Sequence, residues 1–330
     1  MRAGDRPGER LGAVPAFLRG VGDDMRILVN GGTGFVGSAV VRALLAHPAQ
    51  PEVRVLTRDP ARHRGRFPTA VHLVAGDVLR PHTLPAAFAG VQAVVNAVQF
   101  PGYPVEAPKR GLTFDRYDRV GTEEQVRIAR EAGVPRVVYV SGVNADPSSD
   151  KPWYRAKGLA EAALRRSGLS WTIVRPSWAY GPTDNSLNRF VAIARRAPVM
   201  PVVGDGRQRL MPVHVQDVAR VIAEAALQQA GGSTDGEVVE VGGPETLTMD
   251  QVLSTMLDAM GLRRRLVHVP EALPRLAGAV LAGVLPRPPL NADAVDFLVA
   301  DALADLSTLR RTLDIPLTPL REGLAYLSPA

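Results

Sequence analysis

The chain has 330 residues, 46% of them hydrophobic, and a formal charge of +6, a composition that supports a globular core rather than disorder. It has no cysteine, which excludes disulfides, thiolate metal sites and cysteine nucleophiles. The cations are scattered arginines with only three lysines, Lys109, Lys151 and Lys157, and no basic run is interleaved with aromatics, so nucleic acid is not an expected partner.

Residues 1–24 mix charges of both signs with Gly and Pro and contain no export-signal core. They are expected to be a disordered extension, or else translation begins at Met25. No stretch reaches the roughly 18–20 apolar residues of a membrane span. The longest candidate, Leu276 to Leu285, has ten and is closed by Pro286. A cytoplasmic protein is expected, with association at a membrane surface or in a larger complex left open.

The first element is a short apolar run, Arg26 to Asn30, ending in G-x-x-G-x-x-G at Gly31, Gly34 and Gly37. Helix-forming residues follow through Ala46. A strand, a glycine turn and a helix start let the backbone approach a pyrophosphate, which the unpaired helix N–H groups and the helix dipole then favour. Dinucleotide binding is the expectation. Strand candidates follow at Val53–Thr57, Val71–Ala75, Ala93–Val98, Arg136–Val140 and Trp171–Val174, alternating with helical stretches, clearest at Gly121–Ala132 and Tyr154–Ser167. The alternation predicts an α/β fold, a Rossmann-type doubly wound parallel sheet. The Pro- and Gly-rich segment Pro101 to Lys109 follows a strand end, where ligand-binding loops sit.

Past Pro176 the pattern loosens into short strands (Val199–Val203, Val238–Val241), helices (Val215–Gln228, Met249–Met260) and turns. The chain is therefore divided into a NAD(P)-binding domain over 25–179 and a smaller C-terminal substrate-side lobe over 180–330, partly interleaved with the sheet. The second strand ends Leu56-Thr57-Arg58-Asp59-Pro60. An acid there holds the 2′-hydroxyl of NAD, whereas Arg accommodates the 2′-phosphate of NADP. Thr57 and Arg58 favour NADP, with NAD as the alternative; the competing reading makes Arg58 a solvated loop residue that Asp59 partly neutralises. Asp77 suits a hydrogen bond to the adenine amino group, or equally a turn cap. The six histidines (47, 63, 72, 82, 214, 268) show no ligand spacing, so no metal is expected.

The glycine spacing, Arg58-Asp59-Pro60, Gly76-Asp77-Val78, Val140-Ser141-Gly142-Val143 and Tyr154-Arg155-Ala156-Lys157 with Glu161 together resemble the extended and atypical short-chain dehydrogenase/reductase superfamily. So do Arg175-Pro176-Ser177-Trp178-Ala179-Tyr180-Gly181-Pro182 and Pro212-Val213-His214-Val215-Gln216-Asp217-Val218-Ala219. The tail, with Leu285-Pro286-Arg287-Pro288-Pro289-Leu290 and Leu313-Asp314-Ile315-Pro316, resembles the subgroup of the nucleotide-binding accessory subunit of respiratory complex I and its bacterial relatives. The resemblance implies a cofactor lying along Gly31, Thr33, Gly34, Phe35, Val36, Gly37, Arg58, Asp77, Val78, Ala97, Val98, Lys157 and Pro176. It also implies a catalytic Ser, Tyr and Lys, for which Ser141, Tyr154 and Lys157 are the candidates, and a substrate pocket at Trp153 and Tyr180. The position four before Lys157 is Trp153, not Tyr. Tyr154 stands one residue late, rotated by about 100° around a helix of 3.6 residues per turn. An indole N–H cannot exchange a proton as a phenol does.

Two readings result: a reductase of a hydrophobic carbonyl or quinone-like compound, or a non-catalytic accessory, assembly or redox-sensing protein with no substrate. A sugar-nucleotide epimerase is weakened by the missing Tyr.

Overall fold

The computed structural model describes residues 25–284 and 292–328. The expected extension over 1–24 and the Leu285–Leu290 motif lie outside the described residues.

Seven parallel strands form one sheet. In space their order runs Glu237–Val241, β6 (Ser170–Pro176), β5 (Arg136–Val140), β4 (Ala93–Asn96), β1 (Arg26–Asn30), β2 (Glu52–Thr57) and β3 (Val71–Ala75). The central strands read as continuous β-branched runs because both faces of the sheet are covered. Ile27, Leu28 and Val29 are all fully buried, and Ile27 sits in register between Val53 and Ala93. Helix α1 (Phe35–Ala46) and the helix Val215–Leu227 cover one face. The helices Gly121–Glu131 and Pro152–Arg165 cover the other. Two segments from beyond residue 180, the helix Val215–Leu227 and the strand Glu237–Val241, thus belong to the sheet layers.

The remaining segments build a separate core around Met200, Met249, Val252, Leu253 and Met256. The helix Met249–Ala259 starts on a capping box, in which Thr248 Oγ1 accepts from the Gln251 N–H and Gln251 Oε1 accepts from the Thr248 N–H. The apolar tract after residue 271 forms the helix Ala272–Val284, with Leu273 and Leu276 exposed. No helix among the described residues is long and apolar enough to cross a membrane.

Two element ends differ from the sequence reading. Strand β4 stops at Asn96, not Val98, because Asn96 Oδ1 accepts the Val98 N–H and turns the chain. The helix over 121–131 is preceded by a six-residue π-helical segment, Asp115–Val120, in which the Gly121 N–H reaches back to Arg116 O. Such wide turns cluster at functional sites.

Arg136, the first residue of β5, is 1% exposed. It donates to Ala225 O, Ser170 Oγ, Thr172 Oγ1 and Thr234 Oγ1, each at 2.7 Å, with Asp235 3.7 Å away. The guanidinium fork joins β5, β6 and the helix Val215–Leu227 at the amino end of the sheet. Arg136→Ala leaves four acceptors without this donor and opens a cavity, and should cost about 3 kcal/mol. Urea titration checks this as a lower midpoint at unchanged slope.

Candidate functional site

The site lies at the carboxyl ends of the parallel strands, where open α/β sheets place their ligands. Gly31 follows β1 with φ +79°, and a Cβ on it would come within 2.4 Å of Ala97 O. A Cβ on Gly37 would come within 2.2 Å of Gly31 O. These two glycines let the turn pack flat on the β4 exit and on the first turn of α1. Gly34 differs: its side-chain direction is open apart from Gly31 O at 3.1 Å. The start of α1 leaves the N–H groups of Phe35, Val36 and Gly37 without intrahelical acceptors. No side chain caps it, and its first turn holds no acid. Thr33 lies half-buried beside the exposed Gly34. The donors, the dipole and the open approach at Gly34 suit a phosphate.

Just past the end of β2, Arg58 is exposed and makes no ion pair among the described residues. Asp59 is occupied as the cap of the short helix Pro60–His63, accepting the Arg62 N–H at 3.1 Å. Asp77 Oδ1 accepts the Leu79 N–H at 3.0 Å, which shows the turn-cap role and leaves Oδ2 with no partner among the described residues. Val78 is buried beside it. The Ala97 N–H donates to Asn30 O at 2.9 Å, and the buried Pro176 carbonyl accepts the Val143 N–H. Asn30 donates to Gln125 and Asn96 to Thr122, tying the ends of β1 and β4 to the helix Gly121–Glu131. Side-chain amides at strand ends beside the glycine turn are a signal that the sequence carried and the motif reading passed over.

The resemblance-derived catalytic residues are separated by their partners. Ser141 is buried, and its hydroxyl donates to Glu161 Oε1 at 2.5 Å. Glu161 is fully buried and also accepts from Arg165 and from Arg175 Nε and Nη2. That network commits the serine proton. Lys157 is 2% exposed; its Nζ donates to Val140 O at 2.8 Å, pairs with Asp118 Oδ1 at 2.8 Å and sits over the Tyr139 ring. Asp118, on the π-helical segment, is equally buried, and neither of its oxygens takes a well-aligned hydrogen bond. Burial disfavours the Lys157 charge, but Asp118 outweighs it and holds the ammonium above its ordinary range. Burial likewise pushes the Asp118 carboxyl up, opposed by Lys157. The ammonium's directions are thus taken by Val140, Asp118 and the Tyr139 ring.

Trp153 lies across the end of β5. A Cβ on Gly142 would come within 2.5 Å of Trp153 Cη2, so residue 142 must lack a side chain for the indole to lie there. Trp153, Tyr154, Phe114, Pro104 and Phe297 wall a cleft, with Lys151 and Asp296 also in its lining. Phe297 and Asp296 come from the helix Ala292–Val299, which sequence reasoning did not connect to the site. Tyr180 does not share this cleft. It is 1% exposed in the core of the C-terminal lobe, edge-on to His214 and with its hydroxyl packed where a Gly323 side chain would otherwise project. The R-P-x-x-x-Y-G-P turn directs it inward, and the ring that meets Trp153 across the cleft is Phe297.

A family model described as NAD(P)H-binding matches residues 31–229. The chain is 28% identical over 303 residues to the mitochondrial NADH dehydrogenase (ubiquinone) 1 alpha subcomplex subunit 9 of Arabidopsis thaliana, covering 88% of this chain and 73% of that one. It is 30% identical over 243 residues to NAD(P)H azoreductase of Xenophilus azovorans, covering 74% and 77%. The crystal structure of the dTDP-glucose 4,6-dehydratase DesIV of Streptomyces venezuelae, with NAD and TYD bound, superposes with a TM-score of 0.70 at 25% identity, covering 92% of this chain and 95% of that one.

Replacing Lys157 with Met strands a carboxylate in the interior, and should cost about 3–5 kcal/mol at neutral pH. The carboxyl then escapes by holding its proton, which raises its folded pKa further above the ordinary value of about 3.9. Its penalty is absent below that ordinary value, grows as pH rises above it and levels off once pH passes the folded pKa. Chemical denaturation should therefore show the gap between Lys157→Met and wild type widening as pH rises above the already raised Asp118 pKa of the wild type, and the double variant Asp118→Leu/Lys157→Met losing less than Lys157→Met alone at pH 7.

Proposed function

The chain belongs to this NAD(P)H-binding family, within the extended and atypical short-chain dehydrogenases/reductases, and from that premise we propose that it binds NADP(H) and reduces a hydrophobic, quinone-like acceptor. The observation that carries the reading is Trp153 lying across the end of β5, as a wall of an aromatic cleft at the edge where the cofactor's reactive ring would arrive. Thr33, Gly34 and the start of α1 would hold the pyrophosphate, Arg58 the 2′-phosphate, and Asp77 Oδ2 the adenine amino group. The cofactor would supply the hydride. This chain supplies orientation and exclusion of water, while the usual phenol is replaced by an indole and the Ser141 proton is committed to Glu161.

That difference selects among acceptors. Reduction of a plain ketone leaves an alkoxide that needs a proton from the protein. Reduction of a quinone leaves a phenolate-type anion, whose conjugate acid has a pKa of about 10 and which takes its proton from water. With an indole at the phenol's usual place and Tyr154 one position off it, the cleft favours the second class. Relatives named as an azoreductase and as a complex I subunit support, respectively, turnover of such acceptors and association in a larger assembly. A second reading, a cofactor-binding accessory or redox-sensing protein in the cytoplasm or in a respiratory assembly, is favoured by the commitment of Lys157 to Asp118.

Two measurements test these readings. Arg58→Ala should weaken NADPH binding about tenfold or more and leave NADH binding nearly unchanged, since a charge-assisted contact contributes on the order of 1.5–3 kcal/mol. Equal affinities of the wild type for NADPH and NADH would sink the assignment to NADP. In a panel of small quinones and ketones, the wild type should oxidise NADPH with the quinones alone. Trp153→Tyr should add ketone turnover, because an acid then stands at the missing position. Cofactor binding without turnover of any acceptor favours the accessory reading.

A further inference from the structure

The walls and charges of the cleft also define what it holds. Trp153 and Phe297 meet edge to face, with centroids 5.1 Å apart and planes at 76°, and Tyr154 stands 5.0 Å from Trp153. The charged side chains beside these rings are already neutralised. Lys151 pairs with Asp296, which also binds Arg275, and Arg275 pairs in turn with Glu271. Two cations thus meet two carboxylates. Burial alone would raise the Asp296 carboxyl, yet Lys151 and Arg275 outweigh it and hold it below its ordinary range. Deeper in, Lys157 is matched by Asp118. Trp153 Nε1 is buried and has no acceptor among the described residues. A buried N–H without a partner is costly, and a ligand oxygen would relieve it.

Resting on the proposed reductase site, we infer that the cleft takes an uncharged, flat aromatic compound carrying an acceptor oxygen. Phe297 is the wall that selects its shape, and the Lys151–Asp296 pair is the feature that turns anions away. Flat rings gain from edge and face contacts with Trp153 and Phe297 beyond simple burial. An anionic ligand, whether a carboxylate or the diphosphate of a sugar nucleotide, would have to draw Lys151 away from Asp296 and leave that carboxylate facing it. Charge pairs of this kind discriminate against the wrong partner more than they strengthen the right one.

The test uses two probes that share one ring system, 2-acetylnaphthalene and 2-naphthoate, titrated into the full chain by calorimetry with and without NADP⁺. The neutral ketone should bind about tenfold or more tightly than the carboxylate, an affinity gap worth about 1.4 kcal/mol. Phe297→Ala should weaken the ketone by a similar factor, of the size expected when a pocket wall is lost. If that variant melts early, Phe297→Leu replaces it: the apolar volume stays, the flat face goes, and ketone affinity should still fall. Asp296→Asn frees the Lys151 ammonium and should reverse the preference by raising naphthoate affinity. Equal binding of the two probes to the wild type, no binding of either, or no response to both Phe297 variants would overturn the inference. A protein that fails to bind NADPH would overturn the reductase reading instead, and the ratio of the two probes without cofactor would still decide this one.

Discussion

Backbone brought too close for a side chain is the constraint on which the rest of this molecule depends. At Gly31, Gly37 and Gly142 a Cβ would meet, respectively, Ala97 O at 2.4 Å, Gly31 O at 2.2 Å and the Trp153 ring at 2.5 Å. The first two contacts fix α1 against the ends of β1 and β4, so its uncapped N-terminus points out of the sheet edge. The third lets an indole lie across the end of β5. Hydrophobic burial holds the sheet together on both faces, but it would do so with many other sequences. The missing side chains decide where the phosphate-sized opening and the aromatic cleft fall.

The interior carries more charge than a core of this kind needs, and each charge has a local answer. Arg136 is solvated by hydroxyls and a carbonyl, Glu161 by Ser141 and two arginines, and Lys157 by Asp118 and Val140 O. Removing one member of such a group is expensive because the others stay buried. Chemistry and architecture are coupled as a result. Ser141 and Lys157, which the family resemblance assigns to proton transfer, are held here by partners that make them parts of the framework. Asp118 reaches Lys157 from the π-helical segment, whose wide turn carries Tyr117 and Asp118 inward while Asp115 and Arg119 pair on the outer surface.

With an indole at the phenol's usual place and Lys157 paired with Asp118, the role we propose for the cleft is binding and orientation rather than acid–base chemistry. That is a coherent division for hydride acceptors whose products are weak bases, and equally for a protein that reads the state of its cofactor. Either way, the helix Ala292–Val299 lines the cleft, where Phe297 completes the aromatic wall and Asp296 ties that helix to Lys151 and Arg275.

Local sequence determined what depends on local chemistry. Apolar runs of strand length marked β1 to β6. Gly31, Gly34 and Gly37 marked the turn, because only a residue without a Cβ satisfies a close approach, and the absence of Tyr at 153 was visible from a spacing of four. The strand Glu237–Val241 was legible as a strand, but its place beside β6 was not, since which edge a strand joins is decided by how its connection packs. Partners distant in the chain were equally out of reach. Asp118 facing Lys157, Glu161 accepting the Ser141 hydroxyl, and Phe297 closing on Trp153 join residues 20 to 144 positions apart, and no periodicity encodes such pairs. The same limit governed Tyr180: its motif was plain, but the direction of its side chain was set by the core it entered and by Gly323, which leaves room for its hydroxyl. The sequence therefore determined the sheet and the cofactor turn, where the signal is a residue's own geometry. Tertiary structure alone decided which candidate groups remain free to do chemistry, because that depends on what each buried polar atom meets.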